Sequence, residues 1–325
     1  MKRHNIKLGL VCTVGGHFEQ MANLSDVYSQ YDHFWITNRN TQTTSQLANE
    51  KKYFVAAAHY KKPWTYCAQI PVIMRAFLRE KPSHLLSTGS GRTAFIPFLL
   101  AKALRLPFIH VDTFSRVNGF SKFGSFLVGL NHKIFCQWQT DNKNAVYIGP
   151  IFKVGPRPAK LPEASHVFVT VGTRPEPFSR LLSAVEELVI EGLVKDEVVV
   201  QAGHTKYSSA KLNIFDFCSA DHIDDLILRA RFVITQESAG IGTKCLKCNT
   251  PFIVMPRDFR YGELPSRSDM REDLHLTLEE LGYTKVVHDA SALRQAIRNV
   301  QSLRTGFTFD NTLAVSTLNA ALEES

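Results

Sequence analysis

Two glycine turns, one in each half of the chain, constrain its fold more than any other feature. The first, Gly15-Gly16-His17, follows the apolar run Ile6–Val14. The second, Gly240-Ile241-Gly242-Thr243, follows the shorter run Arg231–Thr235. Each stands where a buried strand should end and a helix should begin. Backbone without side chains can approach a ligand closely there, and a helix N-terminus favours an anion. Two such corners predict an α/β chain of two Rossmann-like lobes, facing each other across a cleft.

At 325 residues the chain is long enough for two ordinary domains. A net charge of +8 suits an anionic partner such as nucleotide phosphates, a lipid diphosphate or an acidic membrane face. A basic but ordinary surface is the plainer reading. The start, Met1-Lys2-Arg3-His4, leads straight into a strand-like run and shows no secretory signal. With six scattered cysteines this points to a reducing cytoplasm. Cys245 and Cys248 form a lone C-x-x-C without a second ligand pair, so they read as packing residues and no metal is expected. No apolar stretch is long enough to read as a spanning helix.

Strand-like and helix-like runs alternate through the first half. Strands are expected at Ile6–Val14, His33–Thr37, Tyr53–Ala58, His84–Ser87, Pro107–Val111, Lys133–Trp138 and Ala145–Ile148, and one helix over Pro63–Lys81. Continuous apolar strands between helices predict a parallel sheet covered on both faces. A proline-rich stretch, 151–165, reads as a linker between a domain over 1–150 and a second over 166–325. The same pattern restarts there, with strands at His166–Val171, Asp196–Gln201 (running on to Gly203), Arg231–Thr235, Thr250–Met255 and Thr284–His288.

Several residue groups at strand ends carry candidate chemistry. His17 and Glu19 fall in the opening turn of a helix at the usual mouth of an open α/β sheet. An imidazole there could take a proton from an attacking hydroxyl, or both side chains could simply cap the helix. Ser90, Gly91 and Arg92 form a second turn of the first half, suited to a phosphate or an acceptor groove. Asp112 and Arg116 follow another strand, where ligand binding and loop solvation are both open. In the second half, Gly172, Thr173 and Arg174 end one strand. Glu237, Ser238, Ala239, Gly240, Gly242 and Thr243 end another. Their amides and hydroxyls could hold a diphosphate without metal, with charge from Arg174 and Arg257 and a ribose contact from Glu237 or Glu263. Tight packing of helix on strand selects glycine equally well. The stretches Pro63–Lys81 and Gly119–Leu130 mix aromatic, aliphatic and basic residues, which suits either a membrane surface or a packed core. Neither a kinase phosphate loop nor a dinucleotide fingerprint is present.

Taken in order, these segments resemble a known group. Gly15-Gly16-His17, Ser87-Thr88-Gly89-Ser90-Gly91, Asp112-Thr113-Phe114-Ser115-Arg116-Val117 and Cys136-Gln137-Trp138 resemble the acceptor-side subunit of two-subunit inverting glycosyltransferases. Val167–Thr173, Ala239–Thr243, and Val254-Met255-Pro256-Arg257 with Tyr261-Gly262-Glu263 resemble the donor-side subunit. The group includes the dolichol-pathway UDP-N-acetylglucosamine transferase and the bacterial exopolysaccharide glucuronosyltransferase pair, and more distantly the peptidoglycan lipid II synthase. Here both parts look fused in one chain. The resemblance implies a GT-B fold and an inverting transfer without metal or other cofactor. It implies a UDP-sugar donor on the second domain and a polyprenyl-diphosphate-linked sugar acceptor on the first. The enzyme would work at the inner face of the plasma membrane, peripherally bound to an anionic surface. His17 matches the proposed base of the wider group, with Glu19 a rival. Gly15, Gly16, Ser90, Gly91, Asp112 and Arg116 would fall on the acceptor side, and Gly203 would join the donor residues. The VMPR and YGE segments favour UDP-glucuronate. Ser238 stands where the group has a histidine, and a later His-Gln pair is missing or displaced at Arg271–His275. Donor identity rests on those two positions. Rival functions are UDP-N-acetylglucosamine or UDP-galactose transfer, a UDP-sugar 2-epimerase and a non-catalytic activating partner. Nucleic-acid binding fits least, because the basic residues are scattered.

Overall fold

The computed structural model describes residues 6–153, 166–267, 273–305 and 310–324. The chain divides into two compact units, Met1–Lys153 with Phe309–Ser325, and Val154–Thr308. The expected second domain ran to residue 325. Instead the last helix, Thr312–Glu323, packs on the first unit, burying Ala314, Leu318 and Leu322 among Met21, Leu24, Val27 and Tyr31. Most of the expected linker, 154–165, lies outside the described residues.

The first unit contains β1 (Lys7–Cys12), β2 (Asp32–Asn38), β3 (Lys52–Val55), β4 (His84–Gly89), β5 (Phe108–His110), β6 (Ile134–Cys136) and β7 (Ala145–Tyr147). Five strands form a parallel sheet in the order β3-β2-β1-β4-β5. A bridge from Val111 to Phe135 carries it towards the parallel β6-β7 pair. Strand side chains alternate between faces. Leu8, Leu10 and Cys12 of β1 join the core beneath the first and last helices. Val11 joins the opposite core, with helices Ile70–Glu80, Gly91–Leu104 and Lys122–Gly129. Burial on both faces explains the unbroken apolar runs.

Where one helix was expected over Pro63–Lys81, two form, Trp64–Cys67 and Ile70–Glu80. Pro71 is the cause. It lacks an N–H and disfavours helical backbone before it, so it suits a first turn rather than an interior.

The second unit contains β8 (His166–Thr170), β9 (Glu197–Gln201), β10 (Asn213–Phe215), β11 (Ala230–Thr235), β12 (Phe252–Val254) and β13 (Thr284–Val286). They run parallel in the order β10-β9-β8-β11-β12-β13, the doubly wound arrangement. Strand order reverses between β8 and β11 here, and between β1 and β4 in the first unit. Loops at the carboxyl ends of these strand pairs are the usual ligand positions of such sheets. Cys245 is fully buried and Cys248 half-buried on helix Ala239–Cys248, with no disulfide. Among the described residues no helix is long and apolar enough to cross a membrane.

Candidate active site

In the first unit the site grows from the β1–β4 switch point. β1 ends at Cys12 and helix Gly16–Ala22 begins four residues later. Gly15 turns the chain at φ 79°, in the left-handed region that favours glycine. A Cβ built on Gly15 or Gly16 would meet nothing within 4 Å, so the space above this turn is open. The Thr13 amide donates to the Gly89 carbonyl (2.8 Å), and the Ser90 amide to the Thr13 hydroxyl (2.8 Å). These bonds lock the two turns together and leave Ser90 half-buried beside the opening.

His17 is fixed by a pair of reciprocal bonds. Its Nδ1 lies 2.7 Å from the Thr88 carbonyl, and the Thr88 hydroxyl donates to the His17 carbonyl, also at 2.7 Å. A carbonyl oxygen only accepts, so Nδ1 carries the ring proton and Nε2 keeps its lone pair. Burial lowers the imidazole pKa. The Thr88 carbonyl and Asp112 partly oppose this, while the His110 and Arg92 charges add to it, and the net direction is down. Neutral imidazole with a free Nε2 is the form that accepts a proton. Glu19, also half-buried, makes no side-chain hydrogen bond among the described residues.

Other acceptor-side candidates take different places. Asp112 is 3% exposed and faces inwards. Its carboxylate accepts from the Ser121 amide at 2.8 Å and lies 3.7 Å from His110 Nε2. Burial pushes its pKa up, but His110 and Ser121 outweigh that and hold it below the usual carboxylate value. Asp112, expected on the acceptor side, here orders the loop before helix Lys122–Gly129. Gly91 packs closely on the protein itself, since a Cβ there would lie 3.0 Å from Phe123. Arg116 stays half-buried, beyond this network. Gln137 entered the sequence reading only within the segment Cys136-Gln137-Trp138, with no role assigned. Its side-chain amide donates to the Asp112 carbonyl and to Gln20 (both 2.9 Å), and its oxygen accepts from the Ile151 amide (3.2 Å). It ties together the loops behind His17.

In the second unit the residues around the β8–β11 switch point divide into a frame and an open edge. Arg257 is 1% exposed. Its guanidinium donates to the carbonyls of Val171 (2.8 Å), Glu176 (2.7 Å) and Glu263 (3.2 Å), and to Gln236. Glu263 is held by two bonds from Arg180 (2.9 and 2.8 Å) and by the Asp258 amide (2.8 Å). Both were expected to touch donor. Both are held by the protein's own loops, because a buried charge needs its full set of partners. Gly172 donates its amide to Thr170 Oγ1 (3.1 Å). A Cβ on Gly203 would lie 2.3 Å from the Gly172 carbonyl. The Thr243 hydroxyl bonds back to Ala239 O (2.8 Å), and Gly242 packs on His275. These residues shape the corner from behind.

The open edge comprises Thr173, Arg174, Glu237, Ser238, Ala239 and Gly240, all half-buried or exposed. Ser238 caps the ten-residue helix Ala239–Cys248, its oxygen accepting from the Ile241 amide (3.3 Å). The first-turn amides of Ala239 and Gly240 have no intrahelical acceptor, the usual condition of a helix start. Arg174 forms no ion pair among the described residues, and its charge acts on Glu237. Burial raises the Glu237 carboxyl pKa, against the lowering pull of the Arg257 amide, which donates to it at 2.8 Å. His275 was read as displaced from the site. It is 2% exposed behind the turn, 3.4 Å from where a Gly242 Cβ would stand, and burial lowers its pKa to about 4. Positions Arg271 and Glu272 lie outside the described residues.

Two doubly wound units, each with a glycine corner at its switch point, define an α/β protein of the GT-B fold. No protein-family model matches the chain, and no curated protein matches it in sequence. Solved structures do match along nearly its whole length. UDP-GlcNAc 2-epimerase from Methanocaldococcus jannaschii matches with TM-score 0.69 and 12% identity, over 98% of this chain and 100% of that one. The glycosyltransferase SnogD from Streptomyces nogalater matches with TM-score 0.63 and 14% identity, over 97% and 99%. MurG from Acinetobacter baumannii matches with TM-score 0.60 and 13% identity, over 98% and 95%.

Proposed function

We propose that the chain is an inverting glycosyltransferase that moves a sugar from a UDP-sugar to a lipid-linked sugar diphosphate. His17 Nε2 takes the proton from an acceptor hydroxyl. That oxygen forms the new bond to the anomeric carbon as the bond to UDP breaks. The acceptor is the ligand of the first unit, admitted at Gly15, Gly16 and Ser90, with Arg116 further along the same side. The donor is the ligand of the second unit, its diphosphate taken by Thr173, Arg174, Ser238 and the amides of Ala239 and Gly240. Glu237 receives the ribose hydroxyls. Donors of this kind suffice for a departing diphosphate without metal. Glucuronate is the favoured sugar, because the segments Val254–Arg257 and Tyr261–Glu263 resemble the exopolysaccharide enzymes. A lipid-linked acceptor places the work at the cytoplasmic membrane face, in polysaccharide assembly.

The observation that carries this reading is the 2.7 Å contact between His17 Nδ1 and the Thr88 carbonyl. It orients the ring and keeps Nε2 basic, the task a buried carboxylate performs in other base-activated sites. Thermal-shift screening against UDP, UDP-glucuronate, UDP-N-acetylglucosamine, UDP-galactose and GDP-mannose tests the donor side. Selective stabilisation by UDP compounds is expected, and none would refute the reading.

A second reading, a UDP-sugar 2-epimerase, draws on the fold match to the archaeal epimerase. It calls for several free carboxylates near the sugar. Of the four candidate carboxylates, Asp112 and Glu263 are held in internal networks and Glu237 accepts from the Arg257 amide, which leaves Glu19 without a side-chain hydrogen bond among the described residues. Incubation with UDP-N-acetylglucosamine alone, followed by NMR, separates the two: an epimer formed without acceptor establishes the second.

A further inference from the structure

A cavity of about 490 Å³ lies at the opposite end of the first sheet from His17. β4 and β5 run parallel, and their first paired residues, Leu85 and Phe108, stand at the edge remote from Gly89. Phe108 and Phe98 make the cavity floor, with ring centroids 5.2 Å apart in an edge-on arrangement. These two rings are 6% and 2% exposed, so contact falls to the walls, Leu106, Pro107, Leu130 and His132. The volume is that of a small-molecule site.

Lys102 and Arg105 also line the cavity. Both are exposed, and neither side chain forms an ion pair or hydrogen bond among the described residues. No lining residue is acidic, and the stretches that supply the lining, 81–111 and 113–140, contain no Asp or Glu. Helix Gly91–Leu104 ends here, and cations commonly serve a helix end by meeting its last carbonyls. Backbone amides meet them instead: Arg105 donates to the Lys102 carbonyl (3.3 Å) and Leu106 to the Ala101 carbonyl (2.8 Å). Arg105 itself sits at φ 56°, in the left-handed region where glycine costs less. The fold gains nothing from that side chain, which leaves its guanidinium for a ligand.

His132 adds an acceptor. Its Nε2 lies 2.8 Å from the Phe108 carbonyl, so Nε2 carries the ring proton and Nδ1 keeps a lone pair. Nδ1 has no partner among the described residues. Burial lowers the imidazole pKa, the Phe108 carbonyl opposes this, and the His110 and Lys102 charges reinforce it. The ring is therefore neutral at physiological pH. Two unmatched cations, an apolar wall and one lone pair are what the cavity offers.

We infer that this cavity binds a small hydroxyaryl acid. Its carboxylate meets Lys102 and Arg105, its ring lies against Leu106, Pro107 and Leu130, and its hydroxyl donates to His132 Nδ1. A planar carboxylate matches the guanidinium fork of Arg105. The inference goes beyond the transferase reading: it concerns a separate site and holds whatever reaction the chain performs.

Calorimetry of the full chain with 4-hydroxyphenylacetate is the test, with matched probes for each contact. A dissociation constant of about 0.1 to 1 mM is expected for so small a ligand. Phenylacetate, lacking the hydroxyl, should bind about three- to tenfold more weakly, and H132F should abolish that difference. The neutral 4-hydroxyphenethyl alcohol should bind at least about tenfold more weakly. R105G should weaken 4-hydroxyphenylacetate about five- to tenfold, at a melting temperature equal to or above wild type, because glycine relieves the left-handed backbone. Stabilisation by UDP should be unchanged in R105G, which separates this inference from the transferase reading. Absence of binding, equal binding of the neutral alcohol, or an R105G variant that binds like wild type overturns it. Octanoate binding as tightly as 4-hydroxyphenylacetate would assign an alkyl chain in place of the ring. Inorganic phosphate competing at equal concentration would reduce the cavity to a plain anion site. Either result ends the hydroxyaryl assignment.

Discussion

Replacing His17 by alanine is the sharpest perturbation of the proposed chemistry. The variant loses one side-chain hydrogen bond, from Nδ1 to the Thr88 carbonyl, while the Thr88 hydroxyl can still reach the His17 backbone carbonyl. The net cost to stability is therefore about 1 kcal/mol, a shift of a few degrees in melting temperature. A general base contributes about 10²- to 10⁴-fold, roughly 2.7 to 5.4 kcal/mol of barrier. Turnover should fall by that factor while UDP still stabilises the protein. The pH profile carries an independent check. Burial holds the His17 pKa below its ordinary 6.5, and the neutral ring is the active form. The acid limb of kcat/KM should thus fall below pH 6.5 and disappear in H17A. UDP release, followed by a coupled assay across the acid range, measures both. Near wild-type turnover in H17A refutes the assignment, as does an acid limb above pH 6.5. If E19Q loses activity and H17A does not, Glu19 is the base.

The second unit separates ligand residues from frame residues. R174Q should weaken UDP binding about tenfold, measured by calorimetry, at unchanged melting temperature. R257Q should destabilise the unit by about 3 to 5 kcal/mol, because several buried carbonyls lose their donor. Equal effects on binding and stability in both variants would refute the division. His275 titrates at about 4 when folded and near 6.5 when unfolded, so it destabilises the fold as pH drops through that range. The loss reaches roughly 3 kcal/mol by pH 4. H275L should flatten the acid side of the stability curve, and an unchanged slope in urea unfolding would refute this. G203A, at φ +56° with a Cβ 2.3 Å from the Gly172 carbonyl, should cost at least about 2 kcal/mol. G16A should leave stability unchanged or slightly higher, yet slow transfer to the acceptor.

The switch points were legible because apolar strands and glycine corners leave local marks. Ile6–Val14 and Arg231–Thr235 enclose β1 and most of β11, and both turns begin helices. Edge strand β10 left no such mark, because its three residues are only partly buried and lack a continuous apolar run. The last helix shows why domain assignment failed at its end. Ala314, Leu318 and Leu322 form a stripe at helical spacing, but a stripe does not say which core it will cover. Here the choice is reinforced by the Gln30 side-chain amide, which donates to Asn319 at 2.9 Å.

The site was half legible for a related reason: residue type reports chemistry but not what has already consumed it. Arg174 and Arg257 look equivalent in the sequence, each placed just after a strand end. The fold spends every nitrogen of Arg257 on internal acceptors and leaves Arg174 at the edge. The glycines divide the same way. Gly15 is required by its own backbone at φ 79°, whereas Gly16 faces empty space without that constraint, so any objection to a side chain at Gly16 must come from a ligand. Gly91, Gly172 and Gly203 have their space filled by Phe123, Gln236 and a carbonyl, so the objection comes from the protein. Comparing stability with turnover in alanine variants of the two sets therefore maps where ligand, rather than packing, selected glycine.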